Sequence, residues 1–106
     1  MVADLSAVAD PNTGFAVYDT YGLGRHNGWI VVGGTSLSAP LIAGMIGLAG
    51  NASAMDSGRY IYSHRSGLAD VVRGNNGYCG RDYLCNAKVG YDGPTGLGTP
   101  RGTSSL

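Results

Sequence analysis

The sequence contains no glutamate. All seven of its acidic groups are aspartates (Asp4, Asp10, Asp19, Asp56, Asp70, Asp82 and Asp92), so any carboxylate chemistry within the chain falls to these. Charge is scarce altogether, at 13% of residues, and seven basic groups cancel the seven acids. A chain of zero net charge has no general electrostatic grip on nucleic acid or on an anionic membrane, and neither is expected as a partner. No apolar run approaches the roughly 20 residues of a membrane-spanning helix, and no basic, apolar, small-residue leader opens the chain.

Cysteine is limited to Cys79 and Cys85, six positions apart. Zinc ordinarily takes four ligands at shorter CxxC-type spacing, and neither His26 nor His64 lies beside this pair. A redox pair also favours CxxC. The reading is a small structural disulfide, with two unpaired buried thiols as the alternative. A loop this short stabilises by about 2 kcal/mol at best, and a disulfide points to an oxidising, extracellular setting.

What the 106 residues do hold is apolar sequence in coherent runs (43% hydrophobic) punctuated by nineteen glycines. That is a folded composition rather than a disordered one, and the length suits one small domain or a piece of a larger one. Glycine raises the entropic cost of ordering, so the chain is expected to be marginal alone.

Val2 to Val8 reads as a strand or extended lead-in, Asp10-Pro-Asn-Thr-Gly14 as a turn cluster, and Phe15 to Tyr18 as strand-like. Residues 20–28 read as a polar loop, and the runs flanking these turn clusters as hairpin strands. Trp29-Ile-Val-Val32 is a continuous apolar run, the pattern of a strand buried on both faces. From Leu37 to Gly50 the sequence is apolar almost all round, the mark of a buried helix too short to cross a bilayer, with Pro40 falling near its first turn. Residues 51–67 suggest a loop and a short helix, Leu68 to Val72 a short apolar segment, and residues 90–100 a loop.

The informative stretch is Val31-Val-Gly-Gly-Thr-Ser-Leu-Ser-Ala-Pro40. A strand ends, two glycines permit a sharp turn, and Ser36 sits where a helix begins. Free backbone N–H groups and the positive end of the helix dipole gather there. An oxyanion formed by attack of Ser36 Oγ on a carbonyl would lie beside the Ser36 N–H, so the position suits a nucleophile. The plain alternative is that Thr35 or Ser36 is a helix N-cap, and no base adjoins the serine in sequence.

Gly34-Thr-Ser-Leu-Ser-Ala-Pro40 resembles the serine-nucleophile motif of the subtilase clan. Three further motifs narrow the likeness. Asp4-Leu-Ser-Ala-Val-Ala-Asp-Pro-Asn-Thr-Gly14 is similar to the segment that precedes the nucleophile in the sedolisins, the serine-carboxyl peptidases. Leu68-Ala-Asp-Val71 with Gly74-Asn-Asn-Gly77, and Gly90-Tyr-Asp-Gly-Pro-Thr-Gly-Leu-Gly98, resemble the calcium-site tail of the same family. The likeness runs from about Val2 to Thr103, and subtilisins proper lack the GYDxxTGLG ending.

The resemblance implies an α/β, subtilisin-like three-layer fold with a parallel sheet, of which residues 1–106 would be only the C-terminal part. The nucleophile segment would be 29–50 and the calcium-site tail 68–98. It implies a secreted serine-type endopeptidase acting on protein or peptide through an acyl-enzyme on Ser36, with an acidic working pH. The family's activating glutamate, its orienting aspartate and the oxyanion aspartate belong to an N-terminal half that would be the chain's partner. Without glutamate, the chain alone is expected to be inactive. The histidines offer no substitute: His26 falls in a glycine-rich loop and His64 in a polar stretch, each read as solvated or hydrogen-bonded. Asp4 and Asp10 are read as structural.

By the same resemblance, Ca²⁺ is held by the Asp70 and Asp92 side chains and by the backbone carbonyls of Val71, Lys88 and Gly90. This is an all-oxygen set of the kind calcium takes. Without the resemblance, both aspartates read as turn residues. The rival from another class is a non-catalytic, calcium- and disulfide-stabilised secreted module, or a pseudoenzyme part that has lost its acids.

Overall fold

Alternating aromatic and β-branched residues on either side of a polar turn favour a hairpin, and in a computed structural model the chain forms one. Phe15–Leu23 (β1) and His26–Val32 (β2) pair antiparallel, with Phe15 opposite Val32 and Tyr18 opposite Trp29. Residues 3–23, 26–55 and 58–106 are described. The Tyr18 and Trp29 rings meet edge to face at 5.3 Å, a cross-strand aromatic pair. Both strands run beyond their apolar cores into the stretch expected to be loop. The pairing shifts register between Asp19 and Leu23, where Asp19 Oδ1 accepts the Tyr21 N–H at 2.8 Å. An aspartate that takes up a nearby backbone N–H withdraws it from the ladder.

Helix α1 spans Thr35–Ala49, begins after Gly34 and stops at Gly50. It opens at the Thr35-Ser36 pair expected to begin it, and Pro40, expected near the first turn, lies inside the helix in its second turn. The missing Pro40 N–H would have bonded the Ser36 carbonyl four residues back, so that carbonyl has no partner in the helical ladder.

After a 3₁₀ turn at Ala52–Ala54, a one-turn helix α2 spans Arg59–Ser63. A second 3₁₀ turn, Arg65–Gly67, leads into β3 (Leu68–Ala69), which pairs antiparallel with β4 (Thr99–Pro100). Of Val2 to Val8, read from sequence as a strand or extended lead-in, residues 3–8 belong to no ladder among the described residues, and Val2 lies outside them. Both described sheets are antiparallel and two-stranded.

The core is small and lies at the far end of α1. Ile61, Leu68, Leu97 and Leu106 are buried together, and Met45, Ile46 and Ala49 of α1 pack against them with Leu5, Met55, Tyr62 and Tyr91. No residue of α1 is itself buried, and Leu48 is 82% exposed. Trp29 is 74% exposed, so β2 is not covered on both faces either. The expected burial of α1 and β2 is thus not found: an apolar pattern records which face seeks cover, not whether cover is supplied, and the buried core is drawn from residues 61–106. The Cα radius of gyration, 15.6 Å, exceeds the roughly 13 Å of a close-packed domain this long. The thickness is only 19 Å along the shortest axis.

Cys79 and Cys85 form the expected disulfide. It closes a turn that also carries Asn76 N–H to Cys85 O (3.1 Å) and Ala87 N–H to Gly74 O (2.9 Å). Among the described residues no helix is long and apolar enough to cross a membrane.

Candidate active site

The Gly33-Gly34 turn is shaped by what crosses it. A Cβ on Gly33 would be driven into the backbone of Pro11, and Gly34 adopts φ 96°, a conformation that side-chain-bearing residues avoid. The Gly34 N–H reaches Ala9 O at 2.6 Å, and the Gly34 carbonyl accepts the first intrahelical bonds, from Leu37 N–H (2.9 Å) and Ser38 N–H (3.3 Å). The Thr35 and Ser36 N–H groups precede those bonds and are free of the helical ladder. No side-chain cap closes this helix start. Neither Thr35 nor Ser36 therefore acts as the N-cap that the bland sequence reading offered.

Ser36 is exposed, and its Oγ makes no hydrogen bond among the described residues. Hydroxyl and adjoining N–H share one accessible helix tip, the arrangement that lets a serine attack a carbonyl while its own amide meets the resulting oxyanion. Thr35, Ser38, Ala39 and Ile42, but not Ser36, line an open cavity of about 920 Å³ shared with Asp4 and Leu5.

His64 is engaged at the end of α2. The His26 side chain lies outside the described residues. His64 stacks on Tyr60 with centroids 3.9 Å apart, and its Nδ1 lies 2.9 Å from Tyr60 O and 3.2 Å from Ser63 Oγ. It is an exposed, hydrogen-bonded helix end.

The second cluster is built on residues 88–96. Asp92 is 0% exposed, and its carboxylate accepts Lys88 N–H on Oδ2 and both Thr95 N–H and Thr95 Oγ–H on Oδ1, each at 2.9 Å. Asp70, itself exposed, accepts Gly90 N–H on Oδ2 at 2.8 Å. The two carboxylates therefore grip the same short segment, through Lys88 and Gly90. Val71 follows Asp70 directly in an irregular stretch after β3.

Among the described residues no group of three or more His, Cys, Asp or Glu side chains gathers as a metal cluster. The oxygen-only donor set of Asp70, Asp92 and the Val71, Lys88 and Gly90 carbonyls matches the chemistry of a hard cation. Asp92 Oδ1 already accepts two hydrogen bonds and Oδ2 one, so of the roughly four lone-pair sites of the carboxylate it is Oδ2 that keeps one for a cation.

Sequence reasoning missed three side chains that organise these clusters. Ser38 Oγ donates to Val8 O (2.9 Å). Tyr62 donates to Asp4 Oδ1 (2.6 Å). Thr95 braces Asp92. The last was readable, since a hydroxyl three residues after an aspartate is a local turn pattern. The other two join residues 30 and 58 positions apart and leave no local signature.

Comparison with known proteins places one relative beside this geometry. The chain is 34% identical over 106 residues to sedolisin of Pseudomonas sp. (strain 101), across 93% of the chain and 17% of that protein. No family model matches the chain, and no solved structure does. The relationship is distant and partial, the chain spanning about a sixth of its relative's length, and it gives the chain a peptidase-related origin.

Proposed function

We propose that these residues are the nucleophile-bearing, C-terminal part of a secreted serine endopeptidase of the sedolisin type, in which Ser36 attacks the scissile carbonyl of a protein or peptide. The observation that carries this reading is the 34% identity over 93% of the chain, taken with an exposed serine at an uncapped helix tip whose hydroxyl has no hydrogen-bond partner among the described residues. Ser36 Oγ adds to the carbonyl carbon and its proton passes to a carboxylate supplied from outside these residues. The oxyanion forms beside the Ser36 N–H. Collapse of that adduct expels the amine and leaves an acyl-enzyme, which water then cleaves. A carboxyl-based proton acceptor in place of histidine suits an acidic working pH.

The exposed faces of α1 and β2 support packing against a further part of a subtilisin-like α/β fold, which would also bring that carboxylate. In this reading Asp70 and Asp92, with the carbonyls of Val71, Lys88 and Gly90, hold Ca²⁺. The ion offsets two negative charges drawn to one loop.

The test is a hybrid in which this sequence replaces the aligned segment of Pseudomonas sedolisin. Casein hydrolysis between pH 3 and 7 that disappears in Ser36→Ala is expected. A folded hybrid with no hydrolysis, or with hydrolysis that survives Ser36→Ala, overturns the reading.

The non-catalytic alternative draws on the same loop: a buried Asp92 with three hydrogen bonds and a neighbouring disulfide would stabilise a secreted module whether or not Ser36 reacts.

A further inference from the structure

Residues 3–9 touch both clusters. At one end, Tyr91 OH donates to Ala3 O (3.1 Å), Leu97 N–H to Asp4 O (2.9 Å) and Ser6 N–H to Gly98 O (3.0 Å). The Ser6 and Thr99 hydroxyls meet at 3.1 Å. At the other end, Ser38 Oγ donates to Val8 O at 2.9 Å, and Gly34 N–H to Ala9 O at 2.6 Å. The stretch forms no ladder of its own, so its backbone groups are spent on fastening two distant parts of the chain.

The lower attachment leads directly to the buried carboxylate. Asp92 and Gly96 exchange backbone hydrogen bonds (3.1 and 2.9 Å), and the next two residues, Leu97 and Gly98, hold the segment. The upper attachment leads directly to Ser36. Gly34 and Ser38 lie two residues on either side of it, and the Gly34 carbonyl begins α1. Hydrogen bonds joined by short covalent stretches, at Gly96 to Gly98 and at Ser6 to Ala9, therefore link the Asp92 loop to the helix tip.

We propose that residues 3–9 are a positioning strap and Ser38 its clasp: together they set the angle at which Ser36 enters α1 and make that angle depend on the Asp92 loop. As a statement about catalysis this rests on Ser36 being the nucleophile; as a statement about coupling it does not. Ser38 is a positioning residue, because its hydroxyl bonds the strap and reaches Ser36 only through the helix start. The arrangement gives the Asp92 loop a hold on the reactive helix tip although no residue of that loop adjoins Ser36 in sequence. A loosened loop frees the strap, and a freed strap releases the Gly34 amide.

Amide hydrogen exchange followed by NMR on the whole chain tests this without catalysis. In Ser38→Ala the Gly34 N–H exchanges about two- to tenfold faster, the range set by the net worth of one hydrogen bond. Ser38→Thr, which keeps the hydroxyl, restores it. In Asp92→Asn the Ser6 and Gly34 amides quicken together, while those of residues 42–46 in α1 keep their rates. The strap is overturned if Ser6 quickens in Asp92→Asn and Gly34 does not. It is also overturned if Gly34 is unprotected in the wild-type chain, or if Ser38→Ala leaves Gly34 unchanged. Should Asp92→Asn unfold the chain, Ser38→Ala decides alone, since it removes only a half-buried hydroxyl. Failure here leaves the nucleophile reading of Ser36 standing, and an inactive sedolisin hybrid leaves the strap standing.

Discussion

Tyr62 donates its phenolic hydrogen to Asp4 Oδ1 across 2.6 Å, joining the one-turn helix α2 to the strap. That hydrogen bond, then partial burial and then the negative charge of Asp4 push the Tyr62 phenol up from 10 to about 12, with Tyr91 adding and Arg65 opposing. A group whose pKa is raised on folding stabilises the fold fully below its unfolded value and loses that contribution as pH rises through the folded one. The stabilisation is thus intact below pH 10 and vanishes between about 10 and 12. Absorbance titration near 295 nm should show one tyrosine ionising late, and Asp4→Ala should return it towards the ordinary range. A late tyrosine that persists in Asp4→Ala would assign the shift elsewhere.

Asp92 is the residue whose loss the fold should tolerate least. Its carboxylate is fully buried and satisfies three donors, so Asp92→Ala strands Lys88 N–H and both Thr95 groups. Unpaired donors of this kind, here part-buried, cost on the order of 1 kcal/mol each. Together that is a large share of what a chain with so small a core can possess. Urea unfolding should show Asp92→Ala largely unfolded without denaturant. Asp70→Ala, which loses one exposed hydrogen bond, should cost less than about 1.5 kcal/mol. If calcium occupies this loop, added Ca²⁺ raises the wild-type midpoint by mass action and has a weaker effect in Asp70→Ala.

How much of this was legible in the sequence depended on the range of the interaction concerned. The apolar runs at Phe15 to Tyr18 and Trp29 to Val32, the helix after Gly34, the turn at Asp10 to Gly14 and the Cys79–Cys85 bridge all rest on neighbours in sequence, and all were readable. Burial was not, because apolar periodicity records which face seeks cover and is silent on whether the chain has residues to supply it. Leu48 and Trp29 stand exposed for that reason. The contact that fixes the Gly34 turn was not readable, since the Gly34 amide meets Ala9, a residue 25 positions away. The strap was illegible for the same cause, since Ser6 meets Thr99 across 93 positions. The place of Ser36 at the start of α1 was readable from the strand-to-helix turn, which is local.

The disulfide supports the Asp92 loop from the side. Gly93 N–H donates to Tyr83 O at 2.7 Å, and Tyr83 lies within the turn that Cys79 and Cys85 close. Reduction should lower stability by about 2 kcal/mol at most, the chain-entropy value for so short a loop. Thermal unfolding with and without reductant measures this. The effect should be no greater than that of Cys79→Ser with Cys85→Ser, and neither should disrupt α1 as judged by far-ultraviolet circular dichroism.

Two substitutions three residues apart should separate chemistry from architecture at the helix tip. Ser36→Ala removes an exposed hydroxyl with no described partner and inserts the best helix former, so unfolding should move by no more than about 0.5 kcal/mol. Gly33→Ala forces a methyl group into the Pro11 backbone, and neither side of that contact has a flexible side chain to yield. The turn must open, at a cost of about 1–3 kcal/mol, and the Gly34–Ala9 hydrogen bond should fail with it. In the sedolisin hybrid, Ser36→Ala should therefore abolish acylation at full stability, whereas Gly33→Ala should lower kcat through a displaced but chemically intact serine. Labelling of Ser36 by an organophosphonate distinguishes the two, being absent in the first and slowed in the second. Equal labelling of Gly33→Ala and wild type would show that the glycine turn does not govern how the serine is presented.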